Sequence, residues 1–250
     1  MEIVVCIKRV PALDTAIKIA ADGKSIDATG VKFELSSYDE FAIEQALRIK
    51  EQLKAGTVTV ITVGPKDAKK ELTDALARGA DKAVLLTTDK WVHDSWATAH
   101  ALATHLKSIK VDLVLTGRMA VDSDNNQLPS RLAAMLGMGC VTEVSKLTLD
   151  GGVFTAERDI EGAREVLTCK TPAVLSCNKG LNEPRSPNLK GIMAAKTKPF
   201  QEVAAQLPEP AMAIESLSLP PARQACKMLG NGAAAVPTLI QALRNEAKVI

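Results

Sequence analysis

The chain has 250 residues, of which 46% are hydrophobic, 3% are aromatic and 24% are charged, and its formal net charge is +2. This length and apolar content predict one large domain, or one domain with an extension, whose core consists of aliphatic side chains. The small net charge excludes the strong positive field that a polyanion-binding protein carries, so no nucleic acid partner is expected.

The five cysteines are scattered along the chain and form no C-x-x-C pair. This spacing argues against a disulfide framework, a zinc site and an iron–sulfur cluster, so no metal site is predicted. Free thiols favour a reducing compartment. The chain opens directly into a strand and has no apolar run long enough for a membrane helix. We therefore expect a cytoplasmic protein, or one of the mitochondrial matrix if the source is eukaryotic.

Strand and helix patterns alternate through the first two-thirds of the chain. β-branched and aliphatic runs predict strands, and apolar residues at helical spacing between them predict helices. This succession indicates an α/β fold with an open, mostly parallel sheet and helices on both faces. The predicted strands are residues 2–8, 57–63, 82–86 and 111–115, and the predicted helices are residues 39–54, 67–78, 95–107 (capped by Asp94 or Ser95) and 126–136.

The alternation of strand and helix patterns ends after Met138. Residues 142–149 and 153–158 predict two strands joined at Asp150-Gly151-Gly152, a hairpin that would add an antiparallel edge to the sheet. Further strands are predicted at residues 166–169 and 173–177. After residue 199, five prolines interrupt every pattern except a short helix at 238–248. We expect this C-terminal arm, residues 199–250, to extend over a partner subunit, with a disordered terminus as the alternative.

A polar loop follows the strand at 111–115. Ligands of open α/β sheets bind beyond the carboxyl ends of the strands, and free amides at the start of a helix attract anions. We therefore predict a phosphate site over residues 123–128, with a plain capped loop as the alternative. The candidate binding residues are Gly117, Arg118, Met119, Ala120, Val121, Asp122, Ser123, Asp124, Asn125, Asn126, Gln127 and Leu128.

Common catalytic patterns are missing from the chain. It has neither a G-x-G-x-x-G after a strand nor a G-x-x-x-x-G-K-[ST], so a dinucleotide fingerprint and a P-loop are excluded. The histidines at 93, 100 and 105 lie in one region without the spacing of a metal or catalytic pair, and we interpret them as solvated. No residue is predicted to be catalytic.

The segment 180–198 has the most unusual composition. Pro184 and Pro187 prevent regular structure, and the apolar-basic stretch that follows is too short for a core helix. Apolar side chains exposed between lysines indicate a surface for a partner. The candidate partner-binding residues are Leu189, Ile192, Met193, Lys196 and Lys198.

These motifs resemble those of one family. The pattern N-E-P-R-x-P-x-L-x-x-I-M-x-A-K at 182–196 resembles the signature of the electron-transfer flavoprotein beta subunit. The loop from Gly117 is similar to that family's G-[KR]-Q-A-x-D-x-D-x-N-Q nucleotide loop. It departs from the pattern at Met119, where Gln is usual, and at Leu128-Pro129, where Thr-Gly is common.

The resemblance implies a heterodimeric electron carrier that catalyses no reaction of its own. Residues 1–198 would form the nucleotide-binding domain, including a recognition loop at 182–198, and the arm would pack on an alpha subunit that holds FAD. This chain would bind AMP structurally, with adenine near Cys6, Tyr38 and Val63. Ser36, Ser37 and Asp39 would complete the loop that closes over adenine.

The resemblance also implies the redox partners. An acyl-CoA dehydrogenase or another flavin dehydrogenase would dock on the recognition loop, as in fatty acid oxidation. Electrons would then pass to a quinone-linked oxidoreductase. One alternative is a flavin-bifurcating relative with a second FAD and NADH in this subunit, although the Asn126-Gln127 pair favours AMP. The other alternative is a stand-alone adenine-nucleotide-binding module without a redox role.

Overall fold

The computed structural model describes residues 1–223 and 225–250. In chain order the elements are β1 (Glu2–Cys6), β2 (Arg9–Pro11), β3 (Phe33–Leu35), α1 (Ser37–Leu53), β4 (Thr57–Gly64), α2 (Lys69–Arg78), β5 (Lys82–Thr87), α3 (Ser95–Leu106), β6 (Leu113–Gly117), α4 (Leu128–Leu136), β7 (Gly139–Val144), β8 (Lys146–Asp150), β9 (Val153–Ile160), β10 (Ala163–Lys170), β11 (Ala173–Cys177), α5 (Leu189–Ala195), β12 (Phe200–Ala204) and α6 (Val236–Gln241).

A seven-stranded sheet forms the centre of the protein, in the order β12-β5-β4-β1-β6-β11-β7. All of its strand pairs are parallel. Aliphatic side chains on both faces of its inner strands are buried, as a parallel sheet between two helix layers requires. The prediction of an α/β fold with a parallel sheet is confirmed.

Two apolar cores lie on opposite faces of this sheet. One contains side chains of α1 and α2, together with Phe154 of β9. The other contains side chains of α3 and α4. The chain runs from β1 to β4 and β5 in one direction and then returns to place β6 on the other side of β1. The strand order therefore reverses between β1 and β6, where open α/β sheets bind ligands.

The predicted antiparallel strands are present, but the prediction that they form an edge of the central sheet is wrong. The predicted strand at 142–149 is two strands, because β7 is a parallel edge of the central sheet and β8 belongs elsewhere. The hairpin at Asp150-Gly151-Gly152 does form, but β8, β9 and β10 make a separate three-stranded sheet. Phe154 and Ala156 of β9 are fully buried. This sheet packs on the core through its apolar side chains and does not extend the central sheet.

Two elements of the C-terminal third were missed. β12 pairs in parallel with β5 and forms the other edge of the central sheet, although its sequence gives little strand signal. A helix, α5, follows the prolines of the recognition loop. The C-terminal arm therefore leaves the body after β12 and includes a terminal helical segment that begins at Val236. Across residues 1–223 and 225–250, none of the helices combines the length and apolar character needed to cross a membrane.

Candidate functional site

A cleft lies at the carboxyl ends of β1, β4 and β6, where the strand order reverses. Its empty space is about 810 Å³, which includes part of the open solvent at its mouth. Twelve of the predicted site residues line it: Cys6, Asp39, Val63, Gly117, Arg118, Met119, Ala120, Ser123, Asn125, Asn126, Gln127 and Leu128.

Other predicted residues do not line the cleft. Val121, Asp122 and Asp124 lie in the same loop but are not among the residues that line it, and Ser37 is exposed. Ser36 is buried at the start of α1, and its hydroxyl has no hydrogen-bond partner in the part of the chain that the structure describes. Tyr38 is half-buried beside Gly117.

Sequence reasoning missed one wall of the cleft. Trp91, Val92, His93 and Ser95 line it from the segment that follows β5, where a loop before a helix gave no binding signal. His93 therefore faces the cleft rather than solvent alone, and burial lowers its pKa. The remaining lining residues that were missed are Ile7, Lys8, Thr62, Thr98, Leu102, Thr116 and Pro129.

One group of residues that line the cleft is uncharged. Cys6 is buried at the end of β1, and this burial raises the pKa of its thiol, which therefore stays neutral. The Thr62 hydroxyl donates a hydrogen bond to the carbonyl oxygen of Ile7 at 2.6 Å, so its proton is not free to bind a ligand. With Val63 and Leu102, these residues form walls suited to a flat apolar ring.

Asp39 connects the two strands between which the order reverses. It lies in the first turn of α1 and is only 5% exposed. Its carboxylate accepts hydrogen bonds from the backbone N–H of Lys8 at 2.7 Å and of Gly117 at 3.1 Å. Burial raises the pKa of this carboxyl to about 7, against the opposing effect of the two backbone donors.

Asp39→Asn should lower the free energy of unfolding by an amount that depends on pH. An Asp in the unfolded chain has a pKa near 4, so between about pH 4 and pH 7 the folded protein holds more protons at this position than the unfolded chain. The stability contributed by Asp39 therefore falls as pH rises through this window. Asparagine cannot ionise, so the destabilisation caused by the substitution should shrink as pH rises. The change should be at most about 4 kcal/mol, at about 1.4 kcal/mol per pKa unit.

Urea unfolding of both proteins at pH 5 and pH 7.5 measures this effect. The difference in unfolding free energy between wild type and Asp39→Asn should be smaller at the higher pH. A difference that grows with pH would show that the carboxylate is stabilised in the folded state, contrary to this account.

Two polar clusters hold the loop at 118–127. The ammonium group of Lys8 lies 2.7 Å from the carboxylate of Asp122. At the other end, Glu143 accepts a hydrogen bond from the Asn126 side-chain nitrogen at 2.8 Å and lies 3.0 Å from Nε of Arg118. Asp124 and Asn126 both have a φ of 47°, in the left-handed region that asparagine and aspartate tolerate best. These clusters fix a loop whose backbone would otherwise relax.

The start of α4 faces the same cleft. Its N-cap residue, Gln127, makes no side-chain capping bond, and no acidic residue occupies the first turn. Instead, the Gln127 side-chain oxygen accepts from Ser95 at 2.6 Å and from Arg131 at 3.1 Å. First-turn amides of a helix lack intrahelical partners and carry partial positive charge. An anion in the cleft would find amide donors here.

The recognition loop carries a short exposed helix, α5. Asn188 caps it by accepting from the N–H of Gly191 at 2.8 Å. Leu189 is 83% exposed and Met193 is 65% exposed, with Ile192 at 44%. Gly191 rests directly on α2, where an added Cβ would collide with the carbonyl oxygen of Ala77. The helix is therefore seated on the body and presents its apolar side chains to solvent.

Arg185 fastens the base of this loop to α1. Its guanidinium contacts Glu44 at 2.7 Å and Glu51 at 2.6 Å. The Glu44 side chain is only 4% exposed, so this charge is paired within the body. Asn182 donates to the carbonyl oxygen of Phe41 at 3.0 Å and is buried.

The two lysines of the loop differ. Lys196 is exposed, and substitutions there are still expected to change mainly the salt dependence of docking. The ammonium group of Lys198 instead donates to the carbonyl oxygens of Leu76 at 2.8 Å and Ala80 at 2.6 Å. It satisfies carbonyls at the end of α2, so its substitution should also cost fold stability.

Comparisons with known proteins show the family of this chain. A family model described as the electron transfer flavoprotein domain matches residues 24–208. The chain is 38% identical to the electron transfer flavoprotein subunit beta of Bacillus subtilis (strain 168), over the whole of both chains. It is 38% identical to the subunit of the same name from Syntrophomonas wolfei, covering 90% of this chain and 88% of that one. The subunit from Dictyostelium discoideum is 33% identical, with 78% of each chain covered.

Proposed function

This chain belongs to the family of electron transfer flavoprotein beta subunits, and from that premise we propose that it binds AMP structurally and docks flavin dehydrogenases. In this role it pairs with an alpha subunit that holds FAD and shields one side of that flavin. Electrons pass from an acyl-CoA or other flavin dehydrogenase to a quinone-linked oxidoreductase. The chain acts as a carrier subunit and has no catalytic residue of its own.

The observation that carries the proposal is the convergence of two kinds of surface in one cleft. Cys6, Val63 and Leu102 supply apolar walls for adenine. The uncapped start of α4 supplies amides for a phosphate. AMP has these two parts, a flat base and a dianionic phosphate. The donor set of the cleft therefore fits AMP.

The docking part of the proposal is supported by α5 and the arm. A cluster of exposed apolar side chains on a firmly seated helix is typical of a partner-binding anchor. The C-terminal arm carries further exposed apolar residues and is proposed to pack on the alpha subunit. These arm residues are Leu207, Met212, Leu217, Leu219, Met228, Val236, Leu239, Ile240, Val249 and Ile250.

The complex purified with its alpha subunit tests this function. Its absorbance spectrum and extracted nucleotides should show one flavin and one AMP per heterodimer. Two flavins per heterodimer would support a flavin-bifurcating relative instead. ATP without flavin would support a stand-alone adenine-nucleotide-binding module.

Asn126→Trp should lower the AMP content of the complex and slow heterodimer assembly, because the indole would fill the cleft where the phosphate is proposed to bind. Asp124→Trp is a matched control, since Asp124 has the same φ of 47° but does not line the cleft. Nucleotide extraction and quantification after co-expression measure the effect. Equal AMP content in both variants would show that the phosphate lies elsewhere.

A further inference from the structure

The chain that follows β12 passes beside the cleft with few attachments to the body. Residues 205–223 contain no helix or strand. The N–H of Ala205 donates to the carbonyl oxygen of Thr87 at 2.9 Å, and the N–H of Leu217 donates to that of Gly23 at 2.8 Å. Between them, the N–H of Ala211 donates to Oδ2 of Asp94 at 2.7 Å. Among the described residues, this bond attaches the middle of the segment to a side chain of the body.

Asp94 makes contacts in two directions at once. Its Oδ1 accepts from the N–H of Trp96 at 2.8 Å and thereby caps α3. Its Oδ2 holds the arm, and the residue is only 8% exposed. Its neighbours His93 and Ser95 line the cleft. One buried carboxylate thus joins the arm, the start of α3 and the wall of the cleft.

A carboxylate is required for this double role. The two oxygens of an aspartate accept from two backbone donors simultaneously, whereas an asparagine has one acceptor and one donor group. Hydrogen bonds from N–H to an ionised, buried acceptor are among the stronger ones in proteins. The Ala211 contact therefore restrains the arm more than an exposed contact would.

We propose that Asp94 is the positioning residue that fixes the course of the C-terminal arm before a partner binds. The proposal rests on the proposed heterodimer for the identity of that partner, the alpha subunit. Leu207, Met212 and Leu219 are exposed along the restrained segment. Holding the backbone in one course presents these side chains together, which reduces the ordering cost that the partner would otherwise bear.

Limited proteolysis of the full-length chain tests the anchor. Glu215 is exposed in the restrained segment, so a glutamate-specific protease reports its release. Cleavage after Glu161, in the exposed turn between β9 and β10, serves as the internal standard. Asp94→Asn keeps an acceptor for the α3 cap but loses the second one. Cleavage after Glu215 should become about tenfold faster, the effect of losing one charge-assisted hydrogen bond, while cleavage after Glu161 is unchanged.

Ala211→Pro removes the other partner of the same bond. It deletes the N–H donor and leaves Asp94 intact, so it should accelerate cleavage by about the same factor. The double variant should be cut no faster than either single variant, because both substitutions break one bond. Asp89→Asn, which makes the same charge change at an exposed position nearby, should behave like wild type. Single variants cut at the wild-type rate, or effects that multiply in the double variant, would overturn the anchor.

Assembly tests what the anchor does. Asp94→Asn and Ala211→Pro should each weaken association with the alpha subunit by up to about tenfold. This is the factor by which the population of chains with a correctly placed arm should fall. Association at the wild-type level despite a released arm would overturn the positioning role. If the wild-type chain forms no complex with an alpha subunit, the proposed function fails, and the cleavage experiment still decides whether Asp94 anchors the arm.

Discussion

Leu189→Ala should reduce electron transfer from the cognate dehydrogenase about thirtyfold at limiting concentrations. A single apolar anchor in a partner's pocket contributes about 2 kcal/mol of binding, and each 1.4 kcal/mol corresponds to about tenfold in affinity. Leu189 is 83% exposed, so its truncation removes no core contact, and fold stability and flavin content should remain near wild type. Steady-state assays of the purified heterodimer against the dehydrogenase measure the effect.

Leu13→Ala is a matched control, because Leu13 is also strongly exposed, at 76%, in a different loop. It should transfer electrons at the wild-type rate. Alanine at Ile192 or Met193 should have smaller effects than at Leu189, since contacts around a hot spot contribute less. A Leu189→Ala heterodimer as active as wild type at limiting concentration would show that the recognition loop does not anchor the partner.

Gly117→Ala should damage both the fold and the cleft. An added Cβ would lie 2.8 Å from the backbone carbon and the Cβ of Tyr38 and would collide with the carboxylate of Asp39. Inserting a methyl group into such a contact costs about 1–3 kcal/mol of stability. The substitution would also push Asp39 away from the N–H of Gly117 and so separate the start of α1 from β6. We expect a lower urea midpoint and the loss of most AMP from the purified complex.

Gly64→Ala is the control for this substitution. Gly64 ends β4 of the same sheet, but its added Cβ would meet only the Cβ of Ala68, at an ordinary 3.6 Å. Its unfolding midpoint and AMP content should therefore match wild type. If Gly117→Ala behaved in the same way, the close packing of α1 on β6 would not be needed for the cleft.

The helix α5 is held on a fixed body, which suits the proposed docking role. Arg185, Lys198 and Gly191 each attach the recognition loop to α1 or α2 by a different contact. The apolar side chains of α5 therefore project from a preorganised backbone, and little ordering cost remains for binding. Arg185 also pairs with the buried Glu44. Substitution of Arg185 would therefore leave the Glu44 carboxylate with fewer partners in the body.

Local sequence patterns were sufficient for most of the elements. Apolar periodicity predicted α1 to α4 and the strands β1, β4, β5 and β6, because each pattern reflects burial on one side of a continuous segment. The cap of α3 is Asp94, one of the two residues, Asp94 or Ser95, predicted for that position. The missed helix α5 did carry a local signal, the cap residue Asn188 three positions before Gly191. The prolines at 184 and 187 do not prevent this helix, because both lie before its cap residue.

Only the tertiary structure decided which segments meet. β12 is a strand because it forms backbone hydrogen bonds with the edge of β5, more than a hundred residues earlier in the chain. No local sequence pattern around β12 indicates this pairing. The separate sheet of β8 to β10, the bridge from Asp39 to Lys8 and Gly117, and the anchor between Asp94 and Ala211 depend on contacts of the same kind. The sequence by itself determined most of the elements, the family and the loop at the end of β6. The fold determined which wall closes the cleft and where the arm is held, because pairing between distant segments depends on packing in three dimensions.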